Sequence, residues 1–469
     1  MKQTYLFSGL CVASLFGCAD VRVPEYQRPD TPAKSNWSRP PATTVSAAEA
    51  ISPTWWQQFG DPYLNSLVAK AVTGNFDLKV LAARIEVANA QIGEARAGAL
   101  PSVDIATGAI LQKTTGMGQT FVKQYSLGSQ VSWDLDIWGA VEKGVQAQSV
   151  EFRATEADWR AGYLNIVADV STTYFQILQL DEQIEQQQRA RAKNEQILAI
   201  YETMRSNGLI ADTELLRQRA ENNRLAKDLL ELRRSRDVTE NALATLLGVP
   251  AGEFKVPPGS LQDRVKVPAV PAGLPLDLLT RRPDVVAAEF RVLEAHDLMG
   301  QARLAQLPSV SLTGQAGTAS FALSDLFKAF TFGLMPVIDL PALNPGIKAH
   351  VRTSEAQIKV AEEGYRSTVI AAFQEVENAL LNLEAHKQQK EELQKQVDQL
   401  QVVSDQTKAQ LEIGIASQLD VFENERSLLT AQLALLGSHE QVLSDTVTLY
   451  KALGGGWAQT PVEVVGARR

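Results

Sequence analysis

The side chains that could do chemistry in this 469-residue chain do not form a recognisable site. Its four histidines lie far apart in predicted helices: His296, His350, His386 and His439. None has a second type of metal ligand at ligand spacing, and carboxylate pairs such as Glu362-Glu363 lie in polar helical runs. There is no nucleophile elbow, phosphate-binding glycine loop or dinucleotide fingerprint. The sequence therefore predicts no enzyme, no metal site and no bound cofactor.

The covalent chemistry that the sequence does predict is at the N-terminus. Lys2 precedes an apolar run, Tyr5 to Phe16, that leads into Gly17-Cys18. This pattern is typical of a lipoprotein signal peptide over residues 1–17, after whose removal Cys18 carries a covalent lipid, including palmitate. An ordinary secretory signal with an incidental cysteine is the alternative. Because Ala19 and not an aspartate follows Cys18, we expect sorting to the outer membrane.

Composition restricts the possible partners. The net charge is −9 and the pI is near 5.2, so the chain has no overall basic field with which to hold nucleic acid. After the signal, no stretch approaches the roughly 20 apolar residues of a membrane-spanning helix. If the mature chain crosses a bilayer, we expect it to cross as strands.

The chain contains one motif twice. Three features recur 207 positions later: Arg84 as Arg291, Gly93 as Gly300, and Leu100-Pro101-Ser102-Val103 as Leu307-Pro308-Ser309-Val310. Three more recur 206 positions later: Gly208 as Gly414, Glu214 as Asp420, and Gly248 as Gly454. We therefore predict two repeats, residues 62–249 and 276–456, joined by a proline-rich linker at 250–275. An anchored segment at 18–61 and a tail at 457–469 flank them.

Each repeat is expected to begin with a helix and a pair of strands. The predicted helices run from Leu78 to Ala99 and from Val285 to Leu307. From Tyr125 to Ile137, apolar residues alternate with polar or small ones, which predicts a strand with one apolar and one polar face. The second repeat shows this alternation more weakly, in Val310, Leu312, Phe330, Phe332 and Leu334. We place the strand pairs at about 101–137 and 308–340.

Each repeat then continues into a very long helix. No proline interrupts Ala140 to about Ser206 or Gly346 to about Ile413, so each helix would span on the order of 100 Å. Coiled-coil spacing is present in Leu393, Val397, Leu400, Thr407 and Leu411. Turns at Gly208 and Gly414 would fold each helix back on a successor, which predicts hairpins at about 140–248 and 346–454. Four strands cannot close on themselves in lipid, so the chain must pool its strands with copies of itself. Three copies would give twelve strands, although the sequence does not fix three over two or four.

Four short segments resemble a known family: Trp55-Trp56 with Phe59-Gly60-Asp61-Pro62, Asn75-Phe76-Asp77-Leu78, Ser132 to Gly139, and Arg281-Arg282-Pro283-Asp284. In them the chain resembles the TolC-type outer-membrane factors of the OprM-like (NodT-type) efflux lipoprotein branch. The resemblance implies a mixed α and β membrane protein, a homotrimer whose 12-stranded β-barrel has four strands per chain. A 12-helix periplasmic α-barrel would continue it. Short helices near Leu64, the linker and the tail would form an equatorial region.

The resemblance also implies a function and partners. The chain would be the outer-membrane channel of a tripartite efflux system that exports small amphiphilic molecules such as drugs. Its partners would be outer-membrane lipid, a periplasmic adaptor protein and an inner-membrane pump of the RND type. Two alternatives stay open: a type I protein secretion duct, and a non-conducting coiled-coil scaffold on the cell surface.

A periplasmic gate is expected at the hairpin tips. In the family, a leucine and an acidic residue after the second turn, with an arginine one helical turn further on, set the constriction. Here these are Leu419, Glu423 and Arg426, and Glu423 and Arg426 are close enough in sequence to pair on one helix face. Further candidate carboxylates are Asp420 and the first-hairpin residues Asp212 and Glu214. The alternative is that all of them are solvated surface charges.

Two pairs of tryptophans complete the candidate residues. Trp133 and Trp138 end the first strand pair, where they are expected to form a membrane interface belt or to pack on the equatorial region. Trp55 and Trp56 precede the first helix. We expect them to anchor the N-terminal segment against the barrel and not to bind a ligand.

Overall fold

A computed structural model of the chain describes residues 25–31, 37–38, 52–114, 120–270, 281–341 and 344–455. Cys18 and the tail at 457–469 lie outside these residues. The chain divides into two compact units. The sheet unit comprises Met1–Asp30, Arg84–Thr155 and Ala287–Ser367, and the hairpin unit comprises Thr31–Ala83, Glu156–Val286 and Thr368–Arg469. Each unit therefore draws on both halves of the sequence.

The order of helices and strands is the same in both halves. The first half has a 3₁₀ turn at Trp55–Phe59, then α1 (Pro62–Gly74), α2 (Phe76–Ala97), β1 (Ser102–Thr114), β2 (Thr120–Leu135), α3 (Ala140–Ser206) and α4 (Asp212–Leu246). After the short linker helix α5 (Leu261–Arg264) come α6 (Pro283–Leu304), β3 (Ser309–Ser320), β4 (Thr331–Asp339), α7 (Pro345–Glu412) and α8 (Gln418–Ala452). None of the helices in the described part of the chain combines the length and the hydropathy that crossing a membrane demands.

Some element ends differ from the sequence prediction. α2 stops two residues before Ala99. The residues that follow it form 3₁₀-type turns ahead of Pro101, in which each N–H bonds to the carbonyl three residues earlier. α6 likewise stops before Leu307. β2 does not reach Ile137, whose N–H bonds back to the carbonyl of Leu135 and so turns the chain out of the sheet.

The sheet unit holds one four-stranded sheet in the order β1-β2-β3-β4, with all neighbours antiparallel. The central pair, β2 with β3, joins the two repeats from Tyr125 opposite Ser320 to Leu135 opposite Val310. β4 begins after Phe330, which the sequence pattern had placed in the strand. Within the described residues, β1 and β4 each pair on one side only. The sheet of a single chain is therefore open at both edges.

The two hairpins are built on the long helices α3 and α7, of 67 and 68 residues and about 100 Å each. Gly208 and Gly414 close them with positive φ values of 73° and 74°, and the surrounding backbone hydrogen bonds are those of a Schellman motif. In α7, the buried Ser404 fills the one heptad position between Leu400 and Thr407 that the apolar pattern had left open. The coiled-coil seam is therefore continuous but partly polar.

Two of the sequence signatures, one in each repeat, make equivalent hydrogen bonds to the end of a returning helix. Just before α2, the Asn75 amide donates to the carbonyl of Leu246 at the end of α4, at 2.9 Å. Just before α6, the Arg282 guanidinium donates to the carbonyl of Ala452 at the end of α8, at 3.0 Å. Asn75 and Arg282 are 2 % and 7 % exposed. Each returning helix is thus tied to the start of the short helix of its own repeat.

Candidate functional site

The register of the sheet sorts its side chains onto two unlike faces, because side chains alternate along each strand. One face carries Val103, Ile105, Leu111, Tyr125, Leu127, Val131, Trp133, Val310, Leu312, Phe332, Leu334 and Ile338, with Thr107, Lys113, Lys123, Ser129 and Thr318 as polar exceptions. The other is mainly polar or small, with Asp104, Ser126, Gln130, Ser132, Asp134, Ser311, Thr313, Gln315 and Asp339, and with Ile110, Val122, Met335 and Val337 as exceptions. On the apolar face, Phe332 is 86 % and Ile105 75 % exposed in the single chain. A bilayer would bury such a face.

Of the predicted belt tryptophans, Trp133 lies in β2 and Trp138 lies three residues beyond the end of that strand. The indole N–H of Trp133 donates to the carbonyl of Ala99 at 2.9 Å, and that of Trp138 donates to the carbonyl of Pro308 at 2.7 Å. Both rings are partly exposed. An apolar ring with a satisfied polar tip suits a membrane interface, and the same bonds fix the strand end to its neighbouring loops. The interface role stays a prediction.

Trp55 and Trp56 lie in the hairpin unit, and their partners are helices and not strands. Trp55 is fully buried and stacks on Tyr450 of α8, with ring centroids 5.0 Å apart. Trp56 meets Tyr163 of α3 edge-on at 6.4 Å. The hydroxyl of Tyr450 also donates to Gln58 at 2.6 Å. These aromatic contacts hold the segment before α1 against α3 and α8.

An ion pair closes the tip of the first hairpin. Across the turn at Gly208, the Arg205 guanidinium binds the Asp212 carboxylate with two of its nitrogens, one of them at 2.9 Å. The hydrogen bond from Arg205 lowers the pKa of Asp212. Glu214 is exposed. Of the two first-hairpin gate candidates, Asp212 is therefore engaged within its own hairpin.

The tip of the second hairpin is closed by a capping box. The Asp420 carboxylate accepts from the backbone N–H of Ser417 at 2.8 Å and from its hydroxyl at 2.7 Å, and the Ser417 hydroxyl accepts from the N–H of Asp420. These bonds lower the pKa of Asp420. Leu419 beside it is 50 % exposed. Asp420 therefore caps the N-terminus of α8. Of the second-hairpin gate carboxylates, Glu423 is the one whose side chain forms no bond with another described residue.

Glu423 and Arg426 are both exposed on α8, but they do not pair with each other. Within the described part of the chain, only their backbone carbonyls take part in side-chain hydrogen bonds, accepting from Ser427 and Thr430. The intrahelical ion pair that their spacing allows is therefore not formed in the single chain. Water solvates both charged groups well, and an exposed ion pair contributes only about 0–1 kcal/mol to folding stability. Both side chains remain available to other partners.

Two contacts near the tips were not predicted from the sequence. Tyr201 of α3 packs on Phe422 of α8, with ring centroids 6.2 Å apart, and so joins the two hairpins. Lys408 of α7 pairs with Glu425 of α8 at 3.0 Å. In the sequence, the gate candidates Glu423 and Arg426 directly follow Phe422 and Glu425, the α8 residues of these two contacts.

A buried ion network fixes the linker to the first hairpin. Glu240 of α4 accepts from Arg236, from Lys255 and from the backbone N–H of Val256, each at 2.7 Å. Arg236 also donates to Asp181 of α3 at 2.8 Å. Burial would raise the pKa of Glu240, but these donors outweigh it and lower the pKa. The available sequence signal was the spacing of Arg236 and Glu240, four apart on one helix face.

Two of the histidines join the two helices of the second hairpin. His386 hydrogen-bonds Asp445, and His439 hydrogen-bonds Lys390 at 2.9 Å. Burial, with the neighbouring Lys390 charge, lowers the pKa of His439 to about 4. Across the described ranges, no group of three or more histidine, cysteine, aspartate or glutamate side chains is placed to hold a metal ion.

Comparison with known proteins decides the class to which this architecture belongs. The model of the outer membrane efflux protein family matches residues 67–249 and 274–455, one match in each repeat. The chain belongs to the outer membrane efflux protein family. The resemblance to TolC-type outer-membrane factors is thereby confirmed, as is a mixed fold with long helices and four strands per chain.

Relatives of this outer membrane efflux protein match it over nearly its whole length. The toluene efflux pump outer membrane protein TtgC of Pseudomonas putida is 33 % identical over 97 % of this chain and 96 % of that protein. The probable outer membrane lipoprotein SilC of Salmonella typhimurium is 27 % identical over 98 % and 100 %. The solved open state of the Neisseria gonorrhoeae MtrE outer membrane channel matches with a TM-score of 0.80 and 28 % identity, over 93 % of this chain and 98 % of that one. The protein is the outer-membrane channel component of an efflux system.

Proposed function

We propose that three copies of this chain form one duct, with a 12-stranded β-barrel in the outer membrane continued by a 12-helix periplasmic α-barrel. The observation that carries the proposal is the four-stranded sheet with an exposed apolar face and two open edges. Since hydrocarbon tolerates no unpaired backbone edge, β1 of one copy would pair with β4 of the next. Twelve strands enclose a lumen wide enough for water, and the polar face would line it.

The cargo that we propose is small amphiphilic molecules such as drugs. TtgC is named for toluene efflux, and its identity with this chain over nearly the whole length supports small, apolar cargo here. Because the chain supplies only the outer-membrane channel, an inner-membrane pump, of the RND type, and a periplasmic adaptor would provide the energy and the connection.

Deletion of the gene tests this function directly. A deletion strain is expected to become at least fourfold more sensitive to antibiotics, dyes or bile salts, and the intact gene is expected to restore resistance. The purified protein should have the mass of three chains and conduct ions in planar bilayers. Unchanged resistance with loss of a secreted protein would favour a type I secretion duct, and a non-conducting protein would favour the scaffold.

For the gate, we propose that Glu423 and Arg426, near the exposed Leu419, tie neighbouring hairpins together in the closed trimer. The support is that both side chains are exposed and that neither forms an ion pair or a side-chain hydrogen bond with another described residue. Asp420 and Asp212 would act indirectly, by holding the tip turns in shape through Ser417 and Arg205, whereas Glu214 would add charge at the first tip.

Substitution of Arg426→Ala is expected to raise the mean single-channel conductance in planar bilayers several-fold, because one cation per copy that holds the tip closed is removed. Arg234→Ala serves as the control, since Arg234 is an exposed arginine that pairs with Glu231 on its own helix. Equal conductance of the Arg426→Ala variant and the wild type would exclude Arg426 from the gate.

We also propose that Cys18 carries the N-terminal lipid; it lies outside the described residues. Cys18→Ser is expected to abolish incorporation of labelled palmitate, whereas Cys11→Ser should leave it intact, because Cys11 falls within the cleaved signal peptide. Equal labelling of both variants would contradict the assignment.

A further inference from the structure

Two lysines lie on the otherwise apolar face of the sheet. Lys113 of β1 is directly opposite Phe121 of β2, and Lys123 of β2 is directly opposite Leu111. Because side chains alternate along a strand, Lys123 shares the face of Phe121 and therefore that of Lys113. Both lysines are exposed, and neither forms an ion pair or a side-chain hydrogen bond with another described residue. Two cations thus lie close together on the surface that we propose to face lipid.

The acidic side chains of the strands lie on the other face. The four strands contain three carboxylates, Asp104, Asp134 and Asp339, and the register places all of them on the polar face. In the loop between β3 and β4, Asp325 pairs with Lys328 at 2.7 Å. The charge of the two lysines on the apolar face is therefore not balanced from within the described sheet, and its counter-ion has to come from solvent or from the membrane.

Both lysines lie at the end of the sheet that is far from the helices. β1 starts after α2 and β2 leads into α3, so these helices join the sheet at one end. Lys113 is the penultimate residue of β1, and Lys123 is the fourth residue of β2, so both lie near the turn at the opposite end. The next step rests on the proposed barrel, whose helices extend into the periplasm. The turn end then faces the outside of the cell, and the lysines lie on the side of the outer leaflet.

Strand geometry gives the depth of the lysines in the membrane. Lys123 and Trp133 are ten positions apart on the same face of β2. Ten residues of antiparallel strand span about 34 Å, which a tilt of about 40° reduces to about 26 Å along the membrane normal. The apolar band of an outer-membrane barrel is about 25 Å tall. With the indole of Trp133 at the periplasmic interface, Lys123 therefore lies at the outer interface, among the lipid headgroups.

The surroundings of Lys123 combine a held cation with apolar surface. Its ammonium lies 5.5 Å from the centroid of the Phe121 ring, a cation–π contact that orients the charge without neutralising it. On the same face of β2, Tyr125 and Leu127 follow toward the middle of the membrane. A lipid at this position would meet the lysines with its headgroup and these side chains with its acyl chains.

We propose that Lys113 and Lys123 bind the phosphate groups of lipids in the outer leaflet, at one site on the outer surface of each chain. Each ammonium has three donors and no acceptor, and its bonds to phosphate oxygens are charge-assisted. The occupant is a phosphorylated lipid and not free phosphate, because the apolar side chains below the lysines add contacts only for a molecule with acyl chains. A trimer would hold three such lipids around its barrel.

Binding of radiolabelled lipid A to the purified full-length protein in detergent micelles tests the site, because lipid A carries both phosphate groups and acyl chains. Lipid A is expected to bind about tenfold more tightly than the same lipid with its phosphates removed. Replacing both lysines, Lys113→Gln with Lys123→Gln, should weaken lipid A binding about tenfold, whereas Lys113→Arg with Lys123→Arg should retain it. Lys328→Gln is the matched control and should bind as the wild type does, since Lys328 lies in the loop at the same end of the sheet and pairs with Asp325.

Conductance in planar bilayers separates the lipid site from the proposed duct. The double glutamine variant should form trimers and conduct as the wild type does, because the two lysines lie outside the lumen. The lipid site would be overturned, and the duct left intact, if this variant bound lipid A as tightly as the wild type. Equal binding of the phosphate-free lipid, or displacement of lipid A by inorganic phosphate at the same phosphorus concentration, would overturn it as well. Wild-type protein that neither trimerises nor conducts would instead contradict the duct, and the lipid site with it.

Discussion

The Gly248→Ala variant is expected to lose most of the folded protein, whereas Gly208→Ala should keep it. Both glycines follow a helix with left-handed φ values, 71° and 73°, where a side chain costs roughly 1–2 kcal/mol. A Cβ on Gly208 would meet nothing within 4 Å. A Cβ on Gly248 would lie 2.3 Å from the carbonyl oxygen of Gly74, at the end of α1. We expect Gly248→Ala to destabilise the fold by about 3–5 kcal/mol in total, a large share of a typical folding free energy.

Gly74→Ala separates the two causes. A Cβ there would lie 2.4 Å from the carbonyl oxygen of Leu247, and Gly74 has no positive φ. If the close approach of α1 to the end of α4 dominates, Gly74→Ala and Gly248→Ala should both deplete the protein in outer-membrane fractions, as measured by immunoblot. Losses as large for Gly208→Ala as for Gly248→Ala would show instead that the backbone conformation is the cause.

Arg236→Met is the second substitution with a large expected effect, about 3 kcal/mol of destabilisation. It removes the donor that joins Glu240 and Asp181, whose side chains are 1 % and 9 % exposed, and leaves both carboxylates short of a partner. Arg234→Met is the matched control on the same helix, because Arg234 and Glu231 are more than half exposed and their pair contributes only about 0–1 kcal/mol. Thermal unfolding of the two variants gives the comparison, and equal midpoints would contradict a structural role for the network.

The lowered pKa of Glu240 adds a pH signature to this test. Its folded pKa lies below the unfolded value of about 4.3, so the ionised carboxylate stabilises the fold above that pH. The stabilisation is lost as the pH falls through the folded pKa. The difference in midpoint between wild type and Arg236→Met should therefore be largest near pH 7 and shrink toward pH 3.

Much of the architecture could be predicted because it depends on neighbours in the chain. A run without proline that ends at Gly208 or Gly414 specifies a long helix and a tight turn, and both long helices agree with their predicted limits to within one residue. The alternation from Tyr125 onward specifies a strand with two unlike faces. Repetition of these local signals also exposed the two repeats, which the family model matches separately.

The gate candidates show where prediction from the sequence stopped. Sequence position placed Asp212 and Asp420 near the tips, but it did not show that Arg205 and Ser417 engage them. Spacing allowed a bond between Glu423 and Arg426, yet the two side chains are exposed and do not form it in the single chain. Residue spacing limits which side chains can meet, whereas exposure decides whether a bond between them stabilises the fold.

By itself, the sequence determined the repeat, the order of the main elements, the length of the long helices, the two faces of the sheet and the family. Only the tertiary structure decided which distant groups meet. Asn75 reaches a carbonyl 171 residues away, Arg282 reaches one 170 residues away, and Glu240 binds the linker. Periodicity identifies the buried face of a helix, but the identity of its partner depends on how that face packs against helices from elsewhere in the chain.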